Sequence, residues 1–178
     1  MFNVYFTIWH NSRKIKFPLS IQTCICSCIK LCAAYTAHIN IMYTTTTQIR
    51  VRYGETDQMG YLYYGFYALY YEQGRTEAMR ELGFTYKALE AQGIMMPVVE
   101  MQAKYHRPAL YDDLITVRTS IKSLDPERPE IVFHSELFNE NNKLLNEAAV
   151  KLVFYDRAQR RKVNLPSALY AVLKPFFK

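Results

Sequence analysis

The chain has 178 residues, half of them hydrophobic and 21% charged, a composition that is typical of a globular protein with one ordinary domain and a tail. Its formal net charge is +6, but four of the 22 Lys and Arg residues lie in residues 1–41, which contain no Asp or Glu. Residues 42–178 carry 18 basic and 16 acidic side chains, and a net charge of +2 gives no reason to expect a nucleic acid partner.

The first 41 residues differ in composition from the rest, because they hold all four cysteines and the only tryptophan. The cysteines are Cys24, Cys26, Cys28 and Cys32. They lack a paired C-x-x-C and a histidine at zinc-finger spacing, so a metal cluster is not favoured. Polar residues and Lys30 interrupt the apolar stretch that a signal peptide needs, and no run approaches the roughly 20 apolar residues of a membrane span.

Residues 1–41 are therefore expected to be a leader that is disordered or not part of the native domain. We expect Met42 to be the functional start, with one domain in residues 42–178. The absence of cysteine from that domain is compatible with a cytoplasmic setting.

The domain opens with a strand pattern followed by a loop pattern. Across residues 47–53, Ile49, Val51 and Tyr53 alternate with polar residues, which predicts a half-buried strand. Residues 54–60 are small and polar, so they are expected to form a loop.

Residues 65–82 have the period of an amphipathic helix of about five turns. The buried face is predicted to contain Tyr67, Tyr71, Gly74, Ala78 and Leu82. The polar face is predicted to contain Glu72, Gln73, Arg75, Thr76, Glu77, Arg80 and Glu81. Glycine in a helix costs roughly 1 kcal/mol relative to alanine, so Gly74 indicates a very close approach to a sheet. Gly83 is expected to end the helix.

A short helical turn is predicted at residues 86–91, and a last helix at residues 166–176. Four strand-like runs lie between them, at residues 95–106, 114–123, 130–138 and 144–155. Turn residues separate the runs, and short turns between successive strands favour an antiparallel meander. The predicted fold class is α+β, an antiparallel sheet wrapped around one long helix.

The loop before the long helix carries the residue best suited to chemistry, Asp57. A carboxylate there can act as a nucleophile or general base, and free N–H groups at the helix start can polarise a carbonyl oxygen. That combination suits acyl transfer. The alternative is that Asp57 only caps or bounds the loop.

The motif Y-x-E-T-D-Q-M-G-x-x-Y-Y-x-x-Y at residues 53–67 resembles the 4-hydroxybenzoyl-CoA thioesterase family, including the Tol-Pal-associated acyl-CoA thioesterases. The resemblance covers residues 47–156 and includes Arg75-Thr76-Glu77, Tyr105-His106-Arg107-Pro108 and Asp112-Asp113-Leu114. It implies a hotdog fold, an acyl-CoA substrate with no further cofactor, and a homodimer or dimer of dimers with active sites at the dimer interface.

The resemblance also assigns roles to residues. The family's catalytic Asp falls on Asp57, and its carbonyl-polarising backbone N–H falls on Tyr64. Many members have His at the position of Tyr64, but a backbone N–H is supplied by any residue except proline. Substrate contacts are expected from Gly60, Tyr61, Gly65 and Tyr67, and Lys122 and Arg128 are candidates for the phosphates of coenzyme A. The alternative for Lys122 and Arg128 is that each is a solvated surface charge with no contact to substrate.

Several other readings stay open at this point. Glu72 could serve as a helix carboxylate base or pair with Arg75, and His106 and His134 are structural or surface histidines by default. No serine lies in G-x-S-x-G, and the domain has no cysteine, so a Ser or Cys nucleophile is not favoured.

Six tyrosines cluster around the predicted helix start and could line an aromatic acyl pocket or belong to the core. They are Tyr61, Tyr63, Tyr64, Tyr67, Tyr70 and Tyr71. Two rival functions also remain, a hydratase of the same fold and a non-catalytic acyl-CoA-binding protein.

Overall fold

A computed structural model describes residues 6–10, 13–17 and 42–177 of the chain. Strands β1 (Phe6–His10) and β2 (Arg13–Phe17) pair antiparallel with each other. Residues 40–178 form a separate compact unit. The four cysteines and most of the expected leader lie outside the described residues, so the expectations about a metal cluster, a signal peptide or disorder in that segment stay predictions.

The second unit contains eight further strands and three α-helices. The strands are β3 (Tyr43–Arg50), β4 (Ile94–Met95), β5 (Val98–Tyr105), β6 (Leu114–Ile121), β7 (Glu130–Phe138), β8 (Leu144–Val153), β9 (Tyr155–Asp156) and β10 (Arg161–Lys162). The helices are α1 (Tyr67–Glu81), α2 (Tyr86–Ala91) and α3 (Ser167–Leu173), with 3-10 turns at Tyr53–Glu55, Tyr64–Phe66 and Lys174–Phe176.

Five strands form one antiparallel sheet in the order β3-β6-β7-β8-β5. Only β6, β7 and β8 form the expected meander. The expectation that β5 continues directly into a neighbouring β6 is wrong, because β5 pairs with β8 at the opposite edge. The three small strands make a separate sheet in the order β10-β9-β4.

Helix α1 lies against the five-stranded sheet, and the core lies between them. The side chains of Ile115 and Val117 on β6 and Phe133 on β7 are fully buried there. This arrangement confirms the predicted α+β hotdog architecture.

Gly74 is the point of closest approach between α1 and β6. A Cβ atom on Gly74 would stand 2.5 Å from Thr119 Oγ1 and 2.8 Å from Val117 Cγ1. Such distances are too short for van der Waals contact, so the glycine is required for this packing, as its place in the helix pattern predicts.

The predicted buried face of the helix is confirmed. Tyr67, Tyr71, Gly74, Ala78 and Leu82 are all buried. One prediction for the opposite face is wrong, since Arg75 is buried. Its guanidinium lies beside α2, near Tyr86, because α2 covers this side of α1.

Two strands end or break earlier than predicted. In both, the strand-like pattern of residues in the sequence continues although the backbone leaves the strand conformation. Strand β3, the first strand of the second unit, runs over Tyr43–Arg50, and Tyr53, expected to be buried, is 80% exposed on a 3-10 turn. The predicted strand at residues 95–106 is split into β4 and β5 around Pro97, which has no N–H for a strand ladder. The predicted strand at residues 130–138 is confirmed as β7.

None of the helices in the described part of the chain is long and apolar enough to cross a membrane.

Candidate functional site

Residues 55–63 fold back on themselves as a narrow hairpin, which we call the Asp57 hairpin. Tyr63 N–H donates to the Glu55 carbonyl at 2.9 Å, and Asp57 N–H donates to the Tyr61 carbonyl at 2.9 Å. Thr56 and Leu62 form a bridge between these two bonds. The hairpin therefore presents Asp57 close to its tip.

The tip is a tight turn that orients the Asp57 carboxylate. Gly60 N–H donates to the Asp57 carbonyl at 2.9 Å, and Gly60 has a φ of 75°, a left-handed conformation that favours glycine. Asp57 Oδ1 accepts hydrogen bonds from the N–H groups of Met59 at 2.8 Å and Tyr61 at 3.2 Å. Asp57 does bound its loop, as the alternative interpretation holds, but it uses only Oδ1 to do so within the described residues.

The Asp57 hairpin is attached to the segment that follows β5. Leu62 N–H donates to the Ala109 carbonyl at 2.8 Å, and Tyr61 forms a bridge with Leu110. Leu62 and Ala109 are both buried, so the hairpin is fastened to the core at its base.

Tyr64 is the first residue of the 3-10 turn that leads directly into α1. The first N–H groups of a helical segment have no partner within it, so the N–H of Tyr64 is available to a ligand by position. The ring of Tyr64 is largely exposed, and the Tyr64 carbonyl accepts a hydrogen bond from the Tyr105 hydroxyl at 3.4 Å. Tyr64 thus offers its backbone N–H where the positive end of the helix dipole lies.

Asp57 and Tyr64 line one open cleft of about 390 Å³ between the Asp57 hairpin, the start of α1 and the end of β5. The cleft is lined by Asp57, Met59, Tyr61, Leu62, Tyr64, Tyr67, Tyr105, His106, Arg107 and Pro108. The rings of Tyr67 and Tyr105 meet edge to face, with centroids 5.1 Å apart. Burial raises the pKa of Tyr67, so its phenol stays protonated. The lining is aromatic, with few charged groups beside the carboxylate.

The structure brings together four of the predicted site residues, Asp57, Tyr61, Tyr64 and Tyr67, with Gly60 and Gly65 beside them in the chain. It does not bring Lys122 or Arg128 to this cleft. Lys122 lines a separate cavity of about 310 Å³ on the sheet, near His134. Arg128 lies in the β6–β7 connection, where its side chain pairs with Asp125 at 3.2 Å and Glu130 at 3.8 Å.

Glu72 and His134 lie outside the cleft. Glu72 is exposed on α1 with its carboxylate 3.7 Å from Arg75, which matches the pairing considered from the sequence. His134 lies on β7, and burial followed by the charge of Lys122 lowers the pKa of its imidazole. Neither side chain lines the Asp57 cleft.

The cleft also includes His106, which the sequence analysis treated as a structural or surface histidine by default, and Arg107, to which it gave no role. The His106 ring lies 3.1 Å from Glu147 Oε1, and Arg107 Nη1 donates to the Leu144 carbonyl at 3.1 Å. Both belong to the Tyr105-His106-Arg107-Pro108 run that carries part of the family resemblance. That run was the available signal, but its position beside Asp57 depends on β5 lying at the sheet edge.

The six clustered tyrosines divide between rim and core. Tyr61, Tyr63 and Tyr64 are exposed at or beside the mouth of the cleft, whereas Tyr67, Tyr70 and Tyr71 are buried. Tyr67 is the one buried member that also lines the cleft. The core interpretation is therefore confirmed for Tyr67, Tyr70 and Tyr71. Tyr61, Tyr64 and Tyr67 line the cleft, and their contact with an acyl group stays a prediction.

In the described part of the chain, no three His, Cys, Asp or Glu side chains are grouped so that they could hold a metal ion.

The sequence profile of the thioesterase-like superfamily matches residues 51–173. The chain is 35% identical over 126 residues to the acyl-CoA thioester hydrolase YbgC of Escherichia coli, an overlap of 71% of this chain and 92% of that protein. It is 30% identical over 127 residues to the putative acyl-CoA thioesterase YneP of Bacillus subtilis, covering 71% of this chain and 91% of that one.

Solved structures show the same architecture. A DHNA-CoA thioesterase from Staphylococcus aureus is similar with a TM-score of 0.68 and 28% identity, covering 74% of this chain and 91% of that chain. The protein TT1821 from Thermus thermophilus, described as hypothetical, gives a TM-score of 0.69 and 29% identity, with coverage of 76% and 99%. The residues that the sequence profile matches include both the Asp57 hairpin and α1.

Proposed function

We infer the activity of this chain from its family and its cleft: the chain belongs to the thioesterase-like superfamily, and it is an acyl-CoA thioester hydrolase. We further propose that Asp57 is the catalytic carboxylate. The observation that carries this proposal is that two backbone N–H groups hold Asp57 Oδ1 while Asp57 lines the same cleft as Tyr64, the first residue of the turn that leads into α1.

The reaction adds water across the thioester bond. A new C–O bond forms at the carbonyl carbon, the C–S bond breaks, and the products are a free carboxylic acid and the thiol of coenzyme A. Asp57 acts either as a general base that takes a proton from the attacking water, or as a nucleophile whose acyl anhydride is then hydrolysed by water. Both routes give the same products.

Tyr64 contributes through its backbone. As the carbonyl carbon is attacked, negative charge develops on the carbonyl oxygen, and a pre-positioned N–H stabilises it. The start of a helical segment supplies that donor together with a favourable dipole. Because α1 continues from the Tyr64 turn without interruption, the donor stands on a rigid element.

Substrate binding follows from the cleft lining. We propose that Gly60, Tyr61, Gly65 and Tyr67 contact the acyl group or its thioester, since they lie at or beside Asp57 and Tyr64. The proposed role of Lys122 and Arg128 at the phosphates of coenzyme A depends on assembly, because neither lines the cleft within one chain.

We propose that the chain forms a homodimer, or a dimer of dimers, through the edge strand β5. All eight residues of β5 are exposed, and they include Val98, Val99 and Met101. The outer edge of this strand has no partner strand among the described residues, and exposed apolar edges favour pairing with another chain. The opposite edge, β3, is rich in threonine and exposes no such apolar row.

Sedimentation tests the assembly. Met101→Lys should shift the protein toward monomer, because charge on both copies opposes edge pairing, whereas Thr46→Lys on the β3 edge should leave the mass unchanged. An active monomer of the unaltered protein at assay concentration would contradict the proposed dimer.

Thiol release from a panel of aromatic and aliphatic acyl-CoAs tests the activity itself. Hydrolysis of at least one member is the expected result, and the preferred member identifies the acyl group. Tight acyl-CoA binding without thiol release would instead show a binding protein, and addition of water to an enoyl-CoA with the thioester intact would show a hydratase.

We propose a cytoplasmic setting, which the cysteine-free domain permits.

A further inference from the structure

Glu55 is the one acidic side chain that is buried among the described residues, with 4% of its surface exposed. It lies at the base of the Asp57 hairpin, two residues before Asp57. A buried carboxylate is costly unless charged or polar groups surround it. Its partners therefore indicate what it does.

Both carboxylate oxygens of Glu55 are occupied. Oε2 accepts hydrogen bonds from the Arg52 backbone N–H and the Tyr70 hydroxyl, each at 2.9 Å. Oε1 accepts from Arg52 Nε at 2.9 Å and from Arg52 Nη2. Burial by itself raises the pKa of this carboxyl, but the hydrogen bonds and charge of Arg52 with the Tyr70 hydroxyl outweigh burial and hold it below the usual value.

These bonds join three parts of the site. Arg52 lies just after β3, Glu55 begins the Asp57 hairpin, and Tyr70 lies in the first turn of α1. The Glu55 carbonyl also accepts the N–H of Tyr63, the residue directly before Tyr64. The set Arg52, Glu55 and Tyr70, called here the Glu55 clamp, therefore contacts the hairpin that carries Asp57 and the helix whose start carries the Tyr64 N–H.

We propose that Glu55 is a positioning residue for thioester hydrolysis. By fastening the Asp57 hairpin to α1, Glu55 sets the separation between Asp57 and the Tyr64 N–H. This inference rests on the proposed function. Glu55 takes no part in the chemistry, because every hydrogen bond of its carboxylate goes to Arg52 or Tyr70 and the residue does not line the cleft. Glu55 acts by holding Asp57 and the Tyr64 N–H at a fixed separation, and reaction rates are sensitive to the placement of catalytic groups.

A merely structural role would predict only lower stability, so the test needs a matched control. Tyr70→Phe removes one buried hydroxyl that bonds Glu55. Tyr43→Phe removes another buried hydroxyl, which donates to the Ala78 carbonyl at 2.9 Å near the opposite end of α1. Each variant removes one buried hydroxyl whose hydrogen bond involves α1, but only the Tyr70 bond reaches the Asp57 hairpin.

Steady-state thiol release should separate them. We expect Tyr70→Phe and Glu55→Gln to lower kcat by roughly tenfold or more with KM changed by less than about threefold, since misplacement of catalytic groups by about 1 Å can cost up to about 10²-fold. Tyr43→Phe should leave kcat unchanged. The double variant Tyr70→Phe with Glu55→Gln should be no slower than Glu55→Gln alone, because both break the same clamp.

Amide hydrogen exchange of residues 56–66 provides a readout that does not need turnover. Exchange there should be faster in Tyr70→Phe and Glu55→Gln than in Tyr43→Phe. If the two clamp variants keep wild-type kcat at a temperature where they are folded, the positioning role is refuted. If the unaltered protein releases no thiol, the proposed function fails, and unchanged exchange in the clamp variants would separately refute the clamp.

Discussion

Asp57 and Tyr64 should respond differently to substitution, because the proposed role of Asp57 uses its side chain and the proposed role of Tyr64 uses its backbone. Tyr64→Phe keeps the N–H and should leave kcat nearly unchanged, whereas Tyr64→Pro removes the donor and should reduce kcat by about 10²–10³-fold, the usual cost of losing one oxyanion donor. Steady-state thiol release checks both variants, with circular dichroism to confirm that α1 remains folded. A Tyr64→Phe variant that binds substrate but has lost activity would assign the chemistry to the phenol.

Which residues line the site was predictable where the signal is local and not where it depends on distant partners. Asp57 stands out from its loop position and motif, and Tyr64 from the family resemblance, and both line the same cleft. The Glu55 clamp could not be predicted in this way, because its partner Tyr70 is 15 residues away and meets it only when α1 docks. Arg75 was expected to be exposed for the same reason, since α2 covers it only in the folded chain.

At the scale of elements, the contact of α1 with β6 is controlled by Gly74. Gly74→Ala gains roughly 1 kcal/mol of helix propensity but places a methyl group against Val117 and Thr119, and overpacking typically costs about 1–3 kcal/mol. We expect a net loss of stability in urea unfolding. Gly54→Ala is the control, because no atom lies within 4 Å of its added Cβ, so it should not share the loss. A Gly74→Ala variant more stable than the wild type would show that the sheet yields to the methyl group.

Elements with a strong internal period were predicted well, and their pairing was predicted less well. The helix α1 and the strand β7 lie where the periodicity places them. The placement of β5 was missed, because turn chemistry shows that a strand ends but not which edge of the sheet the next strand joins. That placement matters for the site, since it brings Tyr105 and His106 to the Asp57 cleft.

At the scale of the whole molecule, the proposed site is built from one part of the chain. Among the described residues, every one that lines the Asp57 cleft or belongs to the Glu55 clamp lies after Met42. We therefore expect a chain that starts at Met42 to fold and to keep the kcat and KM of the full chain. Thermal unfolding and thiol release check this expectation, and loss of either property would show that residues 1–41 contribute to the native domain.

The most direct test of the central claim is the turnover of Asp57→Asn. The asparagine carbonyl can still accept the Met59 and Tyr61 N–H groups, so the hairpin should remain while the charge is lost. Asp156→Asn is the matched control, since Asp156 Oδ1 accepts the Gln159 N–H at 2.8 Å in a turn that does not line the cleft. The account predicts that Asp57→Asn lowers kcat by at least ~10²-fold while acyl-CoA binding changes much less and Asp156→Asn stays active. An Asp57→Asn protein that hydrolyses acyl-CoA at the wild-type rate would contradict it.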